Sequence, residues 1–522
     1  MLYVSFHPAD LTYPVWFALI PLFALLISSR GYLFSFSVAF LTGMVLWGGH
    51  IWWLNIVPDL PFLSFLVIVF YCSIYFGLFG LLFSIILHRT GWPVILVSPL
   101  LWVAIEFVRS NLYFLAIPWA LLGFSQHNNL AILQVASVTS VYGISFLIVL
   151  VNAALVEVFL WAKHSWFEKA TDGISKRRHL YSVIIVLITV LTVYLWGNHQ
   201  IKKSDQGKKE ILRASLIQAN IPQNEKWNPG FRDEIMKRYS EMTMRASEED
   251  PDIIIWPETA TPDYLKTTPR IYLKVKEIVR ETGIPLILGS SSHVKIGRER
   301  DKGRRLKNTA FLMDENGKIS GEYNKMRLLP FGEYLPLEGR FPWPGWLVPK
   351  NGVFVPGTET KVFEIPQGRF GITICWENLF PDLFRIFVRD GAQFMVNLTN
   401  EAWFERTSAS KQLLVMSVFR AVENHVSLLR AANSGISCII DPVGRVRERV
   451  MDGEGNDVMV SGILTVSVPE PSGPTFYTRY GDIFALTCTF LGALFFLTAL
   501  LPLKIRQVFV YDDKLTGVKR KG

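Results

Sequence analysis

Long apolar runs dominate the chain up to about residue 197 and return once near its end; between them the pattern changes to short apolar runs broken by polar turns. A helix needs about 20 mostly apolar residues to cross the hydrocarbon core of a bilayer. Runs of that kind predict spans at 13–29, 33–54, 61–87, 91–108, 140–161, 180–197 and 482–504. The first is the shortest and lacks the basic leader and small-residue cleavage site of a signal peptide, so it reads as a retained span. The stretch 111–129 contains Pro118 and Trp119 and is apolar but broken, which predicts an interfacial or re-entrant piece.

Residues 206–472 follow a different rule. Ile253–Trp256, Leu286–Leu288, Phe370–Cys375 and Phe394–Leu398 predict short strands, and 231–247 and 409–426 predict helices. Asn316-Gly317, Asp441-Pro442 and Gly444 mark turns between them. The expected organisation is a helical membrane domain over 1–205, an α/β domain over 206–472, and a last span with a basic tail over 473–522.

Composition supports this division. Of the 522 residues 50% are hydrophobic and 19% charged, against about 25% charged in soluble chains. The net charge of +9 comes with basic residues in short segments beside apolar spans. Anionic lipid headgroups are the expected counterpart, and no nucleic-acid motif is present. Arg30, Arg89, the segment 163–178 and the tail Lys519-Arg520-Lys521 belong on the cytoplasmic side by the positive-inside rule, which places the N-terminus and the large domain outside. Lys202, Lys203, Lys208 and Lys209 oppose this, but they open a long translocated domain, where the rule is weak. None of the cysteines Cys72, Cys375, Cys438 and Cys488 has a disulfide or thiolate-metal spacing, and the nine histidines form no metal-binding motif. No cofactor or metal is expected.

Three segments place a reactive side chain at the end of an apolar run: Ile255-Trp256-Pro257-Glu258, Asn324-Lys325-Met326-Arg327, and Ile374-Cys375-Trp376-Glu377. Strand ends are where α/β folds expose side chains to a ligand crevice. A thiol near pKa 8.5 is mostly unionised at neutral pH and needs help to become a nucleophile. A carboxylate can take its proton, and an ammonium can stabilise both thiolate and oxyanion. Each segment alone is ambiguous, because a lone cysteine ending an apolar strand is usually an inert buried thiol. Together they suffice for acyl transfer, with the Trp376 N–H as a second oxyanion donor.

In this order the three segments resemble the nitrilase superfamily. The whole chain is similar to the bacterial apolipoprotein N-acyltransferase family, in which such a domain sits between membrane helices. The resemblance includes Pro118-Trp119, Gly123, Ser125-Gln126, Gln218–Gln223 with Trp227, and Pro330-Phe331-Gly332-Glu333. It continues through Asn400–Phe404 and Leu429–Ile436. It implies a polytopic α-helical membrane domain plus an α/β nitrilase-like domain folded as an αββα sandwich. Glu258 is implied as proton acceptor, Lys325 as oxyanion stabiliser and Cys375 as nucleophile, with Glu333, Glu377, Trp376, Trp227 and Trp403 in support. Two departures stand out: Trp376 occupies a position where the family has tyrosine, and seven spans are counted where the family has eight.

The implied reaction moves a fatty acyl chain from a membrane phospholipid, through a thioester on Cys375, to the α-amino group of a diacylglyceryl apolipoprotein. The implied setting is a monomer in the bacterial inner membrane, with the catalytic domain on the periplasmic side. The aromatic, proline-rich segment Phe341–Pro349 reads either as a mobile lipid-facing arm or as a loop packed on its own domain. Glu106 and Arg109, one helical turn apart, read as an interfacial ion pair. Glu423 and Arg430 read as structural ion-pair partners. Two rival readings keep the same residues: a membrane-anchored amidase hydrolysing small amides, and a transporter or receptor with an accidental triad. The six spans predicted before the domain argue against a mere anchor, and their uncharged faces argue against transport.

Overall fold

The computed structural model describes residues 1–501 except 30, 59, 168–172, 207–208, 295–304, 339 and 345–352. The chain divides into two compact units, one made of 1–52, 62–199 and the residues from 482 onward, the other of 53–61 and 200–481.

In the first unit the apolar runs fold as helices: α1 Val15–Ala18, α2 Ile20–Ser28, α3 Tyr32–His50, α4 Phe62–Thr90, α5 Val94–Asn111, α6 Leu130–Leu133, α7 Ala136–Phe167 and α8 Gly173–Asp205. The C-terminal helix Ile483–Leu500 joins them. Among the described residues six helices are long and apolar enough to cross a bilayer: α3, α4, α5, the Ala136–Ala162 part of α7, the Leu180–Asp205 part of α8, and Ile483–Leu500. The first predicted span is shorter than expected, with its apolar helix confined to Val15–Ser28 and broken at Leu19. Pro21 lacks the N–H that would carry the helical ladder across this break.

The segment 111–129 is irregular as expected, holding only the 3₁₀ turns Tyr113–Leu115 and Leu122–Gln126. Irregular backbone in an apolar setting needs protein partners for its polar groups. The Leu122 N–H donates to Glu106 Oε1 at 2.8 Å, and the Gly123 N–H donates to the Ser145 hydroxyl at 2.9 Å. This overturns the reading of Glu106 and Arg109 as an ion pair. Glu106 also accepts from the Trp102 indole at 2.9 Å, while the Arg109 guanidinium lies 4.7 Å from the centre of the Trp47 ring. Both side chains are buried, and among the described residues no salt bridge joins them. Spacing along α5 put them on one face, but tertiary neighbours claimed each of them first.

The second unit is built on two mixed sheets. Its strands are β1 Glu210–Gln218, β2 Ile253–Ile255, β3 Leu286–His293, β4 Arg305–Met313, β5 Ile319–Asn324, β6 Val353–Phe354, β7 Val362–Ile365, β8 Gly368–Ile374, β9 Phe394–Thr399, β10 Ser427–Ala432, β11 Cys438–Ile440, β12 Val446–Arg449 and β13 Gly462–Pro469. One sheet runs β13-β1-β2-β3-β4-β5 with β6 beside β4, and the other runs β12-β11-β10-β9-β8-β7. In each, three parallel strands form the middle: β1, β2, β3 and β8, β9, β10. The helices are α9 Gln223–Lys226, α10 Arg232–Ser247, α11 Pro269–Thr282, α12 Pro381–Arg389 and α13 Ala409–Asn424.

Parallel strands must be covered on both faces. Ile235, Tyr239 and Met242 of α10 and Ile271, Val275 and Ile278 of α11 share a buried cluster with Ile254, Leu286, Leu288 and Phe311 of the first sheet. Helices α12 and α13 contact the second sheet, and β1 faces β10 across the middle. The order is helix, sheet, sheet, helix, as expected. Trp256 closes the first layer, its ring stacked at 4.5 Å on Tyr239 and its indole donating to Thr243 at 2.9 Å.

This packing sets the stage for the site, because β2 and β8 end where Glu258 and Cys375 follow. The turn carrying Glu258 crosses Gly289 of β3 so closely that a Cβ there would lie 2.6 Å from Glu258 Cα and 2.6 Å from Thr259 N. Overpacking of this kind costs about 1–3 kcal/mol. Gly289→Ala is expected to lower the thermal midpoint of the unit and to cut turnover by displacing Glu258. Wild-type unfolding and turnover would show that the turn is not held by this contact.

Candidate active site

Cys375 follows β8 and adopts φ +51°, a left-handed conformation that costs a non-glycine residue about 1–3 kcal/mol. Glu377 holds the strained turn in place. Its Oε2 accepts from the Ile374 N–H at 2.8 Å, just before the cysteine. Its Oε1 accepts from the Tyr323 hydroxyl at 2.7 Å and from the N–H groups of Met326 and Arg327 at 2.6 and 3.0 Å. One fully buried carboxylate thus ties the turn bearing Cys375 to the turn bearing Lys325.

Lys325 leaves β5 and is 2% exposed. Its Nζ lies 2.8 Å from Glu333 Oε1 and 3.8 Å from Glu258 Oε1. Asn308 of β4 completes the ring, donating to Glu258 Oε1 at 2.7 Å and to Glu333 Oε1 at 3.4 Å. The other oxygen of each carboxylate is also used: Glu258 Oε2 accepts from the Asn400 N–H at 2.8 Å, and Glu333 Oε2 accepts from the Leu329 N–H at 2.7 Å. Both acids are therefore fixed from two sides.

Burial sets the proton affinities. It raises the Glu258 carboxyl above its ordinary value, opposed mainly by Lys325. Burial alone would lower Lys325, but Glu333, Cys375 and Glu258 outweigh it and hold the ammonium firmly protonated. Burial first, and then Glu258, push the Cys375 thiol up to about 12, against the pull of Lys325. At rest the thiol is neutral, and the raised basicity of Glu258 suits that group to proton abstraction.

The predicted residues divide clearly. Glu258, Lys325, Glu333, Glu377 and Cys375 converge. Trp376 is half-buried, its ring 5.6 Å from that of Phe380. Trp403 sits half-buried in the 3₁₀ turn Ala402–Phe404 after Asn400, whereas Trp227 is 47% exposed. Glu423 and Arg430 are structural ion partners as expected, Glu423 with Arg420 at 2.7 Å and Arg430 with Glu401. In Phe341–Pro349, residues 345–349 lie outside the described residues. Trp343 packs against Phe331 at 5.0 Å and donates to the Pro336 carbonyl, beside the Glu333 turn.

Sequence reasoning missed Asn308, Asn400 and Lys226. Lys226 of α9 is 3% exposed, and its Nζ donates to the Glu258 backbone carbonyl at 3.2 Å. Elsewhere, in the helical unit, His7, Asp10 and His127 bring ligand-type atoms within 4.8 Å of one another, with Asp10 3.7 Å from His7 and 3.5 Å from His127.

Residues 213–467 match the carbon-nitrogen hydrolase family model, and residues 1–154 match the apolipoprotein N-acyltransferase N-terminal domain. A Geobacter metallireducens apolipoprotein N-acyltransferase is 34% identical over 94% of this chain and 91% of its own length. The chain belongs to the apolipoprotein N-acyltransferase family. It is a multi-pass membrane enzyme of the acyltransferase class. The Rickettsia prowazekii member is 28% identical over 87% of this chain and 85% of its own. A solved amidase from Nesterenkonia sp. is 20% identical over 52% of this chain and 93% of that one, with a TM-score of 0.38.

Two outcomes check this geometry. Glu377→Gln replaces one acceptor oxygen by a donor against the backbone N–H and hydroxyl groups now held, costing about 1–3 kcal/mol. Turnover should fall on the order of 10²-fold, and full activity in that variant would remove Glu377 from the positioning of Cys375. Iodoacetamide needs thiolate, so peptide mass analysis should show Cys375 alkylated more slowly at pH 7 than a free cysteine near 8.5, with the rate climbing as pH rises. Faster alkylation than the free amino acid would mean that the thiolate already exists at rest.

Proposed function

We propose that the enzyme transfers a fatty acyl chain from a membrane phospholipid to the α-amino group of the diacylglyceryl-cysteine of apolipoproteins, through a thioester on Cys375. The supporting observation is a neutral Cys375 thiol acted on by Glu258 and Lys325, with the Lys325 ammonium shared between Glu258 and Glu333, in a chain with six candidate spans among the described residues.

In the first half-reaction the thiol gives its proton to Glu258 as sulfur attacks the ester carbonyl. The oxyanion faces Lys325 and the Trp376 N–H. As the C–O bond breaks, Glu258 returns the proton to the departing lysophospholipid oxygen. In the second half-reaction the acceptor amine attacks the thioester, Glu258 takes a proton from nitrogen, and that proton passes to the leaving sulfur. The products are an amide and the free thiol. The aminolysis is downhill, so no nucleotide is consumed. The setting we propose is the bacterial inner membrane, with the catalytic unit on the periplasmic side and one chain supplying the whole site.

Incubation with phospholipid should leave a fatty-acyl mass on Cys375 that a diacylglyceryl lipopeptide removes with amide formation. Glu258→Gln should slow adduct formation by 10²-fold or more, the order of general acid–base catalysis, and Cys375→Ala should abolish it. Discharge by water alone would favour an amidase of the carbon-nitrogen hydrolase type, and absence of any adduct on the wild-type enzyme would end the proposal.

A further inference from the structure

Glu258 accounts for one proton in the second half-reaction, but the acceptor brings two. An α-amino group has a pKa of about 7.7–8.0, so at pH 7 it arrives mainly as an ammonium without a lone pair. One proton must leave before attack. The other leaves nitrogen after attack and travels through Glu258 to sulfur. Water as the deacylating nucleophile would need no such first step, so the requirement is specific to an amine acceptor.

The structure provides a candidate base. Lys226 ends the short helix α9, is 3% exposed, and sits against the Glu258 turn, with its Nζ 3.2 Å from the Glu258 carbonyl oxygen. That carbonyl is its one hydrogen-bond partner among the described residues, although a lysine nitrogen can serve three. The titratable groups that act on it are Glu258, from the β2 turn, and Cys375, from the β8 turn, the latter only when ionised. Lys325, by contrast, is committed to Glu333 and Glu258. The site therefore contains two lysines with different surroundings, and only one is locked between carboxylates.

Building on the thioester reading above, we propose that Lys226 is a second catalytic lysine, the base that takes the first proton from the acceptor's ammonium before it attacks the Cys375 thioester. The step balances: R–NH₃⁺ and Lys226–NH₂ become R–NH₂ and Lys226–NH₃⁺, and Lys226 later loses that proton to solvent. Burial, partly offset by Glu258 and Cys375, lowers the lysine to about 8. That matches the acceptor amine, so transfer between them is nearly isoenergetic, and at pH 7 roughly a tenth of Lys226 is in the basic form. A permanently protonated lysine such as Lys325 could not serve.

Lys226→Met and Lys226→Gln test this in the full chain in detergent or nanodiscs. Phospholipid alone is added first, and the acyl mass on Cys375 is followed; a lipopeptide amine is then added and discharge is timed. Adduct should accumulate in both variants, which also shows that they are folded, while discharge at pH 7 slows about tenfold, because roughly a tenth of the acceptor still arrives as free amine. The defect should shrink as pH rises from 7 to 9, because the acceptor then arrives unprotonated. Hydroxylamine, already unprotonated at pH 7, should discharge variant and wild-type thioesters at similar rates. If wild-type Cys375 never acylates, the thioester reading fails and this proposal falls with it. If wild-type acylates and the variants discharge lipopeptide normally, only the Lys226 role fails. Slowed adduct formation with normal discharge would instead make Lys226 an electrostatic partner of the thiolate and overturn the proposal.

Discussion

The catalytic unit depends on one buried ammonium. Lys325, 2% exposed, lies between Glu333 at 2.8 Å and the buried Glu258 at 3.8 Å. Two carboxylates this close to each other and to a thiol would repel without a cation between them, and burial would drive them to take up protons. Lys325 opposes that uptake at Glu258, whose raised basicity suits it to accept a thiol proton. Removing one member of such a buried group costs far more than the pair gains over an apolar replacement. The arrangement is therefore better understood as serving chemistry than stability.

The rest of the unit keeps that ammonium where it is. Glu333 and Glu258 are each held at both oxygens by N–H donors or by Lys325 itself. Glu377 joins the cysteine turn to the lysine turn and sustains the left-handed Cys375. The parallel strands β2, β8 and β9 deliver Glu258, Cys375 and Asn400 to one end of the two sheets. Shielding by the protein makes each charge more effective than it would be in water.

Much of this was legible in the sequence, and the reasons are physical. Glu258, Lys325 and Cys375 could be found because each ends an apolar run, and strand ends in such folds open toward ligands. Glu333 and Glu377 come from the resemblance to the nitrilase superfamily, since spacing alone singles out neither. Asn308 and Asn400 could not be found, since their partners are 50 and 142 residues away and depend on how the strands cross. Lys226 was overlooked for a related reason: a lysine beside a glutamate on a short helix reads as solvated until the Glu258 turn is seen to cover it. Glu106 and Arg109 failed in the opposite direction, because spacing shows which residues can meet but not which third residue binds one of them more closely. The first span is broken at Leu19 beside Pro21, which hydropathy alone does not register.

The central claim is that the Lys325 ammonium enables the thiol to react. Its most direct test is the rate at which Lys325→Met forms the fatty-acyl adduct on Cys375 from phospholipid in a single turnover, with folding checked by thermal unfolding in parallel. The account predicts that acylation falls by about 10²–10³-fold, the order seen when one oxyanion donor is lost. Acylation at the wild-type rate in a folded Lys325→Met enzyme would contradict it.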